Sequence, residues 1–328
     1  MIHTTILVLF MLIYQSGNIS QTDSKIPNLN VSGSPIQKSL INNNQNPSIL
    51  SEKGEIVLDG YIGNGYEIIV WLKPIPGNKF EGKYLYKRVQ QYINLDGKVN
   101  GNQLELTEKD PKGQITGKFV GDLSSYPSIR GSWSKPDGTG QLNFYLKKIM
   151  PLGISNSTSY EYVRTKTIKN SNDKIVEVTG FSDSVMQKVN SLLKIGKDQE
   201  MKSLGYDVRY NLNGILTVAY NQENDEGWSE TTYKCINTKV GRYLEFDDIF
   251  RSNSKPEIAQ LIATKAKENC SEQLDADFSA ASIDIKNTQL IVTREGISFS
   301  SPCGRSVGYY LGIYTVDFTF DELKQYLK

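Results

Sequence analysis

The sequence predicts an α+β protein in two folded parts. The first is an all-β antiparallel meander, a small barrel or sandwich, and the second is an α+β domain with a mixed or antiparallel sheet and two to three helices. Three observations carry this. Residues 55–150 fall into short alternating segments separated by Pro, Gly, Asn and Asp turns. Residues 159–328 combine such segments with apolar positions at helical spacing. The 328 residues are 38% hydrophobic and 10% aromatic, an ordinary globular composition at roughly two domain lengths.

The chain opens with an apolar run, Ile6 to Tyr14, followed by Gln15, Ser16 and Gly17, which has the form of a secretory signal peptide over residues 1–20. The run is shorter than the about 20 residues a bilayer core requires, so no membrane span is expected after its removal. Its amino end has no Lys or Arg, which leaves an uncleaved anchor as the alternative. Residues 21–54 hold Pro27, Pro35, Pro47, the run Asn42 to Asn46 and no aromatic residue. Such a segment buries too little apolar surface to offset its ordering entropy, and a flexible tether is expected.

Seven strand-like segments follow: Tyr66–Leu72, Phe80–Arg88, Tyr92–Val99, Gln103–Glu108, Gln114–Val120, Ser128–Ser134 and Gln141–Lys147. Three of them place glycine two positions before an aromatic residue, at Gly82 and Tyr84, Gly117 and Phe119, and Gly131 and Trp133. Residues two apart share a strand face, so each glycine is expected to relieve crowding beside the ring. The pattern is like that of small ligand-holding barrels, and both a filled core and a ligand site at the barrel mouth follow from it.

In the second part, Tyr160–Val178 is strand-like, and Val185, Val189, Leu192 and Leu193 then mark one helix face. Asn213-Gly214 between two alternating segments signals a hairpin, with a bulge in one long strand as the alternative. Tyr233–Asn237 is a further strand. Ser254 to Glu257 reads as a capping box opening a helix with Ile258, Leu261, Ile262 and Ala266 on one side. Strands are expected at Asn287–Thr293, Gly296–Ser300 and Tyr309–Thr319. A second box, Thr319 to Glu322, opens a terminal helix packing through Leu323, Tyr326 and Leu327.

The segments Tyr206–Tyr220, Lys239–Phe250, Leu290–Ser300 and Val316–Leu327 follow the order of a bacterial extracytoplasmic domain of unknown function, which the region from Tyr160 to Lys328 resembles. That domain forms the outer part of a lysozyme-sensing anti-sigma factor and adjoins peptidoglycan deacetylase domains. The resemblance implies a secreted or periplasmic module that recognises a lysozyme-like protein or cell-wall glycan. Neither a sigma-binding segment nor a deacetylase domain accompanies it here, and it carries no ligand-contact residue across.

Composition narrows the chemistry. The single histidine, His3, lies in the leader, so Ser-His-Asp, Cys-His and His-ligated metal chemistry are not expected in the mature chain, and no cofactor or metal is expected. A net charge of +1 lacks the cation excess that nucleic-acid phosphates demand. Charge divides unevenly, with 16 Lys+Arg and 12 Asp+Glu in residues 21–159 against 21 and 24 in residues 160–328, so the second part would suit a basic partner.

Of the cysteines, Cys270 continues the helix stripe and Cys303 lies in a loop able to cover it, which makes Cys270–Cys303 the expected disulfide of an exported chain. Cys235–Cys270 and three free thiols are the alternatives. Asp247 and Asp248 precede Ile249 and Phe250 and are expected to cap a short turn, with catalytic carboxylates of a glycan hydrolase as the alternative. Tyr310 and Tyr314 share a strand face and are candidates for an interface, or for sheet packing. The function expected is an exported, non-enzymatic envelope-binding protein. The alternatives are a carboxylate-based hydrolase and a carrier that holds a small ligand in the barrel.

Overall fold

The computed structural model describes residues 48–154, 161–170, 173–180, 183–196, 203–227, 229–270, 274, 278–307 and 310–328. The expected signal peptide and most of the expected tether lie outside the described residues. The end of that tether does not. Ser48–Ser51 form a 3-10 turn with Ile49 fully buried among the barrel's core side chains, so the folded part begins before residue 54.

Eight strands form a closed antiparallel barrel: β1 (Ile56–Ile62), β2 (Tyr66–Ile75), β3 (Lys79–Tyr86), β4 (Tyr92–Asn100), β5 (Gln103–Lys109), β6 (Ile115–Asp122), β7 (Ser128–Ser134) and β8 (Leu142–Ile149). Each pairs with the next, and β8 returns to β1. Alternation sends Phe80, Tyr84, Phe119, Trp133 and Phe144 inward, where Phe119 meets Phe144 edge on at 5.3 Å and Tyr84 at 5.6 Å. The barrel is therefore filled by its own side chains. Tight coiling rests on glycine at the strand crossings. A Cβ on Gly131 would lie 2.0 Å from the Val120 carbonyl oxygen, and one on Gly82 would lie 2.3 Å from that of Trp71. At these two positions the neighbouring backbone, not the ring two residues on, excludes a side chain. Gly117 does face a ring, because its Cβ would meet Trp133 Nε1 and the Glu108 carboxylate.

Strand β1 was not among the expected strands, and burial explains why. Ile56 and Leu58 face the barrel core while Val57 faces the core of the C-terminal part, so the strand is apolar on both faces and shows no period of two. The same two-sided burial applies to Ile68–Leu72 of β2.

After the barrel come a hairpin of β9 (Arg164–Asn170) and β10 (Asp173–Thr179), helix α1 (Asp183–Leu193), and a four-stranded sheet of β11 (Ser203–Leu212), β12 (Ile215–Glu223), β13 (Ser229–Asn237) and β14 (Arg242–Tyr243). Tyr160–Val178 is thus a hairpin, not one strand. Asn213 and Gly214 adopt φ of 48° and 89° in a two-residue turn of β11 and β12, and a register shift between Val208 and Tyr210 adds a bulge.

Helix α2 (Phe246–Ile249) is one turn. Helix α3 (Lys255–Cys270) buries Ile258, Ile262 and Ala266 against a three-stranded sheet of β15 (Gln289–Val292), β16 (Gly296–Val307) and β17 (Tyr310–Thr319). Ser254 precedes α3, but its hydroxyl donates to the Arg251 carbonyl at 2.6 Å. Helix α4 (Phe320–Leu323) carries the expected box, since Glu322 accepts from the Thr319 amide at 2.7 Å and donates its own amide to the Thr319 hydroxyl at 3.3 Å. It is one turn, shorter than expected, and Leu327 reaches the core through a bridge to Phe250 instead. The described residues are mostly antiparallel β with few helices, none long and apolar enough to cross a membrane.

Candidate functional site

The outer faces of β1, β2, β3 and β8 supply Val57, Ile69, Trp71, Leu85 and Ile149 to one continuous core with Tyr210, Leu212 and Ile215. Tyr210 anchors the join by donating its hydroxyl to the Leu152 carbonyl at 2.7 Å. Beside it, Glu161 accepts from Lys83 Nζ at 2.7 Å and from the Tyr92 hydroxyl at 3.0 Å. The Lys83 ammonium lies 4.8 Å from the Tyr92 ring centre.

Where this join opens, a cleft of about 590 Å³ forms between the barrel wall and β9 to β11. Its floor is a charge network. Asp59 projects outward from β1 with 9% of its surface exposed, and accepts from Lys87 Nζ at 2.6 Å and from Arg294 Nε at 2.8 Å. Glu67 lies 3.6 Å from Lys87 and 3.9 Å from Arg294, so two acids alternate with two bases. Arg294 comes from the turn between β15 and β16, and the network therefore ties that turn to the barrel. Two ions removed from water are tolerable only when each is bonded, and here each is.

Tyrosines and free cations make the walls. Tyr162 is held well above the ordinary tyrosine range, first by burial and then by the nearby Asp59 and Glu67 charges. Asn211 fixes the adjoining backbone by accepting from the Val163 amide at 2.9 Å and donating to its carbonyl at 2.8 Å. The Tyr206 and Thr167 hydroxyls share a hydrogen bond of 2.6 Å. Gln90, in the left-handed region at φ 59°, donates to the Thr165 hydroxyl at 3.4 Å. The third lining carboxylate, Asp207, pairs with Arg209 at 3.2 Å. Arg88, Lys166 and Lys174 also line the cleft and form no ion pair among the described residues. All of its acids are thus already neutralised, while three of its cations are not.

None of the residues singled out from the sequence lies here. Asp248 serves the fold. It accepts both guanidinium nitrogens of Arg242 at 2.8 Å, the Glu245 amide at 2.9 Å and Asn237 Nδ2 at 3.1 Å. Asp247 is exposed and held below the ordinary carboxylate range, chiefly by its hydrogen bond from Lys255 at 2.8 Å. Of the two readings for Tyr314, interface or packing, its place is in the core: it is 1% exposed and meets Phe278 edge on at 5.5 Å. The side chains of Tyr310, Cys270 and Cys303 lie outside the described residues, and the expected Cys270–Cys303 pairing lies outside them with the cysteines. Cys235 is a free, buried thiol beside the Thr217 hydroxyl, pushed by burial up to about 11, which answers the Cys235–Cys270 alternative.

The sequence carries one signal of the cleft, Asp59 within the otherwise uncharged segment Ile56 to Ile62. A lone acid in such a segment asks for a distant cation.

No family model matches this chain, and no curated protein matches it. Among solved structures, a crystal structure of a member of the DUF3298 family from Bacteroides fragilis, a bacterial domain of unknown function, is similar. The identity is 12% and the TM-score 0.33, over 52% of this chain and 96% of that one.

Proposed function

We propose that the chain is an exported, non-enzymatic binding protein of the bacterial cell envelope, built as a barrel domain joined to an α+β recognition domain. Its cleft takes a carboxylate-bearing fragment of cell-wall glycan. The observation that carries this reading is the charge asymmetry of the cleft: Arg88, Lys166 and Lys174 are unpaired among the described residues, while Asp59, Glu67 and Asp207 are bound. Unpaired cations in a concave, tyrosine-lined site favour an anion. A basic lysozyme-like partner, which the order of the C-terminal motifs suggests, would meet repulsion at this mouth. The filled barrel interior, for its part, turns the reading away from a carrier role. The apolar leader and the histidine-poor composition support an exported binding protein.

Calorimetric titration of the purified chain with soluble peptidoglycan fragments, and separately with lysozyme, tests the proposal. Fragment binding should weaken with added salt and fall about tenfold in a Lys166→Ala, Lys174→Ala double variant, a loss of roughly 1.4 kcal/mol. Absence of fragment binding, or equal affinity in the double variant, rejects it.

A further inference from the structure

A second concave surface, about 940 Å³, lies on the outside of the barrel. Strand register sets Gln103, Asp122, Arg130, Tyr145 and Tyr61 directly opposite one another on five successive strands, β5 to β8 and then β1. With strands about 4.8 Å apart this row runs roughly 19 Å. Its members point outward because their strand neighbours Leu104, Leu123, Ile129, Phe144 and Ile62 are buried in the barrel. Tyr61 is 46% exposed. The Tyr61 and Tyr145 rings lie 5.8 Å apart at 35°, and the Arg130 guanidinium sits 5.5 Å from the Tyr145 ring centre.

We propose that this row is a binding site for an uncharged oligosaccharide. The C–H faces of a pyranose ring stack on aromatic rings, and its hydroxyls need donors and acceptors at the ring's edge. The row supplies both, with two tyrosines flanked by Asn143 and Ser132. Charge decides between ligand classes. The one guanidinium and the one carboxylate sit opposite each other and cancel, so nothing here draws a polyanion. Asp122 is further held by the amide and hydroxyl of Ser124, at 2.9 and 2.7 Å. A protein partner would ask for an apolar centre ringed by polar groups, whereas here polar and apolar groups alternate along the row.

The row is continuous with the cleft, because Tyr61 pairs with Glu67 of β2 and the Lys87 amide donates to the Glu67 carbonyl. It uses none of the cleft's side chains, so either site can fail without the other.

Titration of the full chain with cellotetraose and with N-acetylchitotetraose, followed by calorimetry and amide chemical shifts, tests the proposal. One or both should bind with a Kd of roughly millimolar or tighter. Tyr61→Ala and Arg130→Ala should each weaken binding about tenfold, Tyr61→Phe should preserve it, and the Lys166→Ala, Lys174→Ala variant should leave it unchanged. Both alanine positions are on the surface, and far-UV circular dichroism confirms folding. The proposal is overturned if neither sugar binds, or if both alanine variants bind as the wild type does.

Discussion

Trp133 donates its indole N–H to the buried carboxylate of Glu108 at 2.6 Å inside the barrel. The same oxygen accepts the Tyr84 hydroxyl at 2.5 Å, and the other accepts from Thr116 at 3.3 Å. Three donors do not offset the cost of burying the charge, and burial holds the Glu108 carboxyl above its ordinary range. The sign follows. The folded state binds the proton more tightly than the unfolded state, so the contribution of Glu108 is fully present below the ordinary value of 4.5 and is lost as pH rises through the raised folded value. Glu108→Gln keeps the shape without the charge. Its urea midpoint relative to wild type should move in the variant's favour from pH 4 to pH 8. A difference that does not change with pH would place the titration elsewhere. Trp133→Phe removes one donor and should cost about 1–3 kcal/mol.

Closure of the barrel depends on the backbone approach at Gly131, where a Cβ would lie 2.0 Å from the Val120 carbonyl oxygen and 2.7 Å from the Gly121 Cα. Neither atom can swing aside as a side chain end does. Gly131→Ala should therefore cost about 3 kcal/mol or more. Gly138→Ala has open space but a φ of 83° and lies in a turn, so it should cost about 1 kcal/mol by strain alone. Chemical denaturation of the two variants compares backbone collision with backbone strain.

Much of this architecture was legible because most of its strands have one wet face. Leu104 and Leu106 of β5 alternate with Glu105 and Thr107, and the eye finds the strand. β1 failed that test because the C-terminal part covers its outer face, and no local signal reports a neighbour so far along the chain. The Asp59–Arg294 contact is unreadable for the same reason. Tyr314 was readable. It shares its strand face with Val316 and Phe318 while Thr315, Asp317 and Thr319 occupy the other, so the alternation marks it as core. The terminal helix was overextended because a capping box fixes where a helix begins and says nothing of where it stops.

Asp59 holds the barrel to the turn that carries Arg294, and the other acid its two bases reach, Glu67, stands farther off at 3.6 and 3.9 Å. Asp59→Ala leaves Lys87, whose side chain is only 10% exposed, without its principal partner and should cost about 3–5 kcal/mol. Arg294→Ala should cost less, since its side chain is 36% exposed and Lys87 still neutralises Asp59. In a double-mutant cycle the two substitutions should couple by about 0.5–3 kcal/mol. Additive losses would mean that the Arg294 contact contributes nothing beyond its crossing of the gap.

Asp247 and Asp248 adjoin in sequence but differ in work, and their variants separate a structural from a catalytic reading. The Asp248 side chain, 11% exposed, closes the capping box of α2 and grips Arg242 through both guanidinium nitrogens. Its removal leaves the Glu245 amide without its acceptor and the guanidinium with only Glu245, at 3.2 Å, and the Tyr243 carbonyl, at 2.9 Å, so Asp248→Ala should cost about 1–2 kcal/mol. Asp247 is exposed to solvent and binds Lys255 from the surface, so Asp247→Ala should leave the urea midpoint nearly unchanged. A hydrolase using the pair would behave in the opposite way, with turnover of cell-wall substrate lost in both variants. Stability and release of reducing sugar are measured on the same preparations. Loss of turnover in the stable Asp247→Ala variant would assign the pair to chemistry, whereas instability confined to Asp248→Ala would assign it to holding α2 against β13.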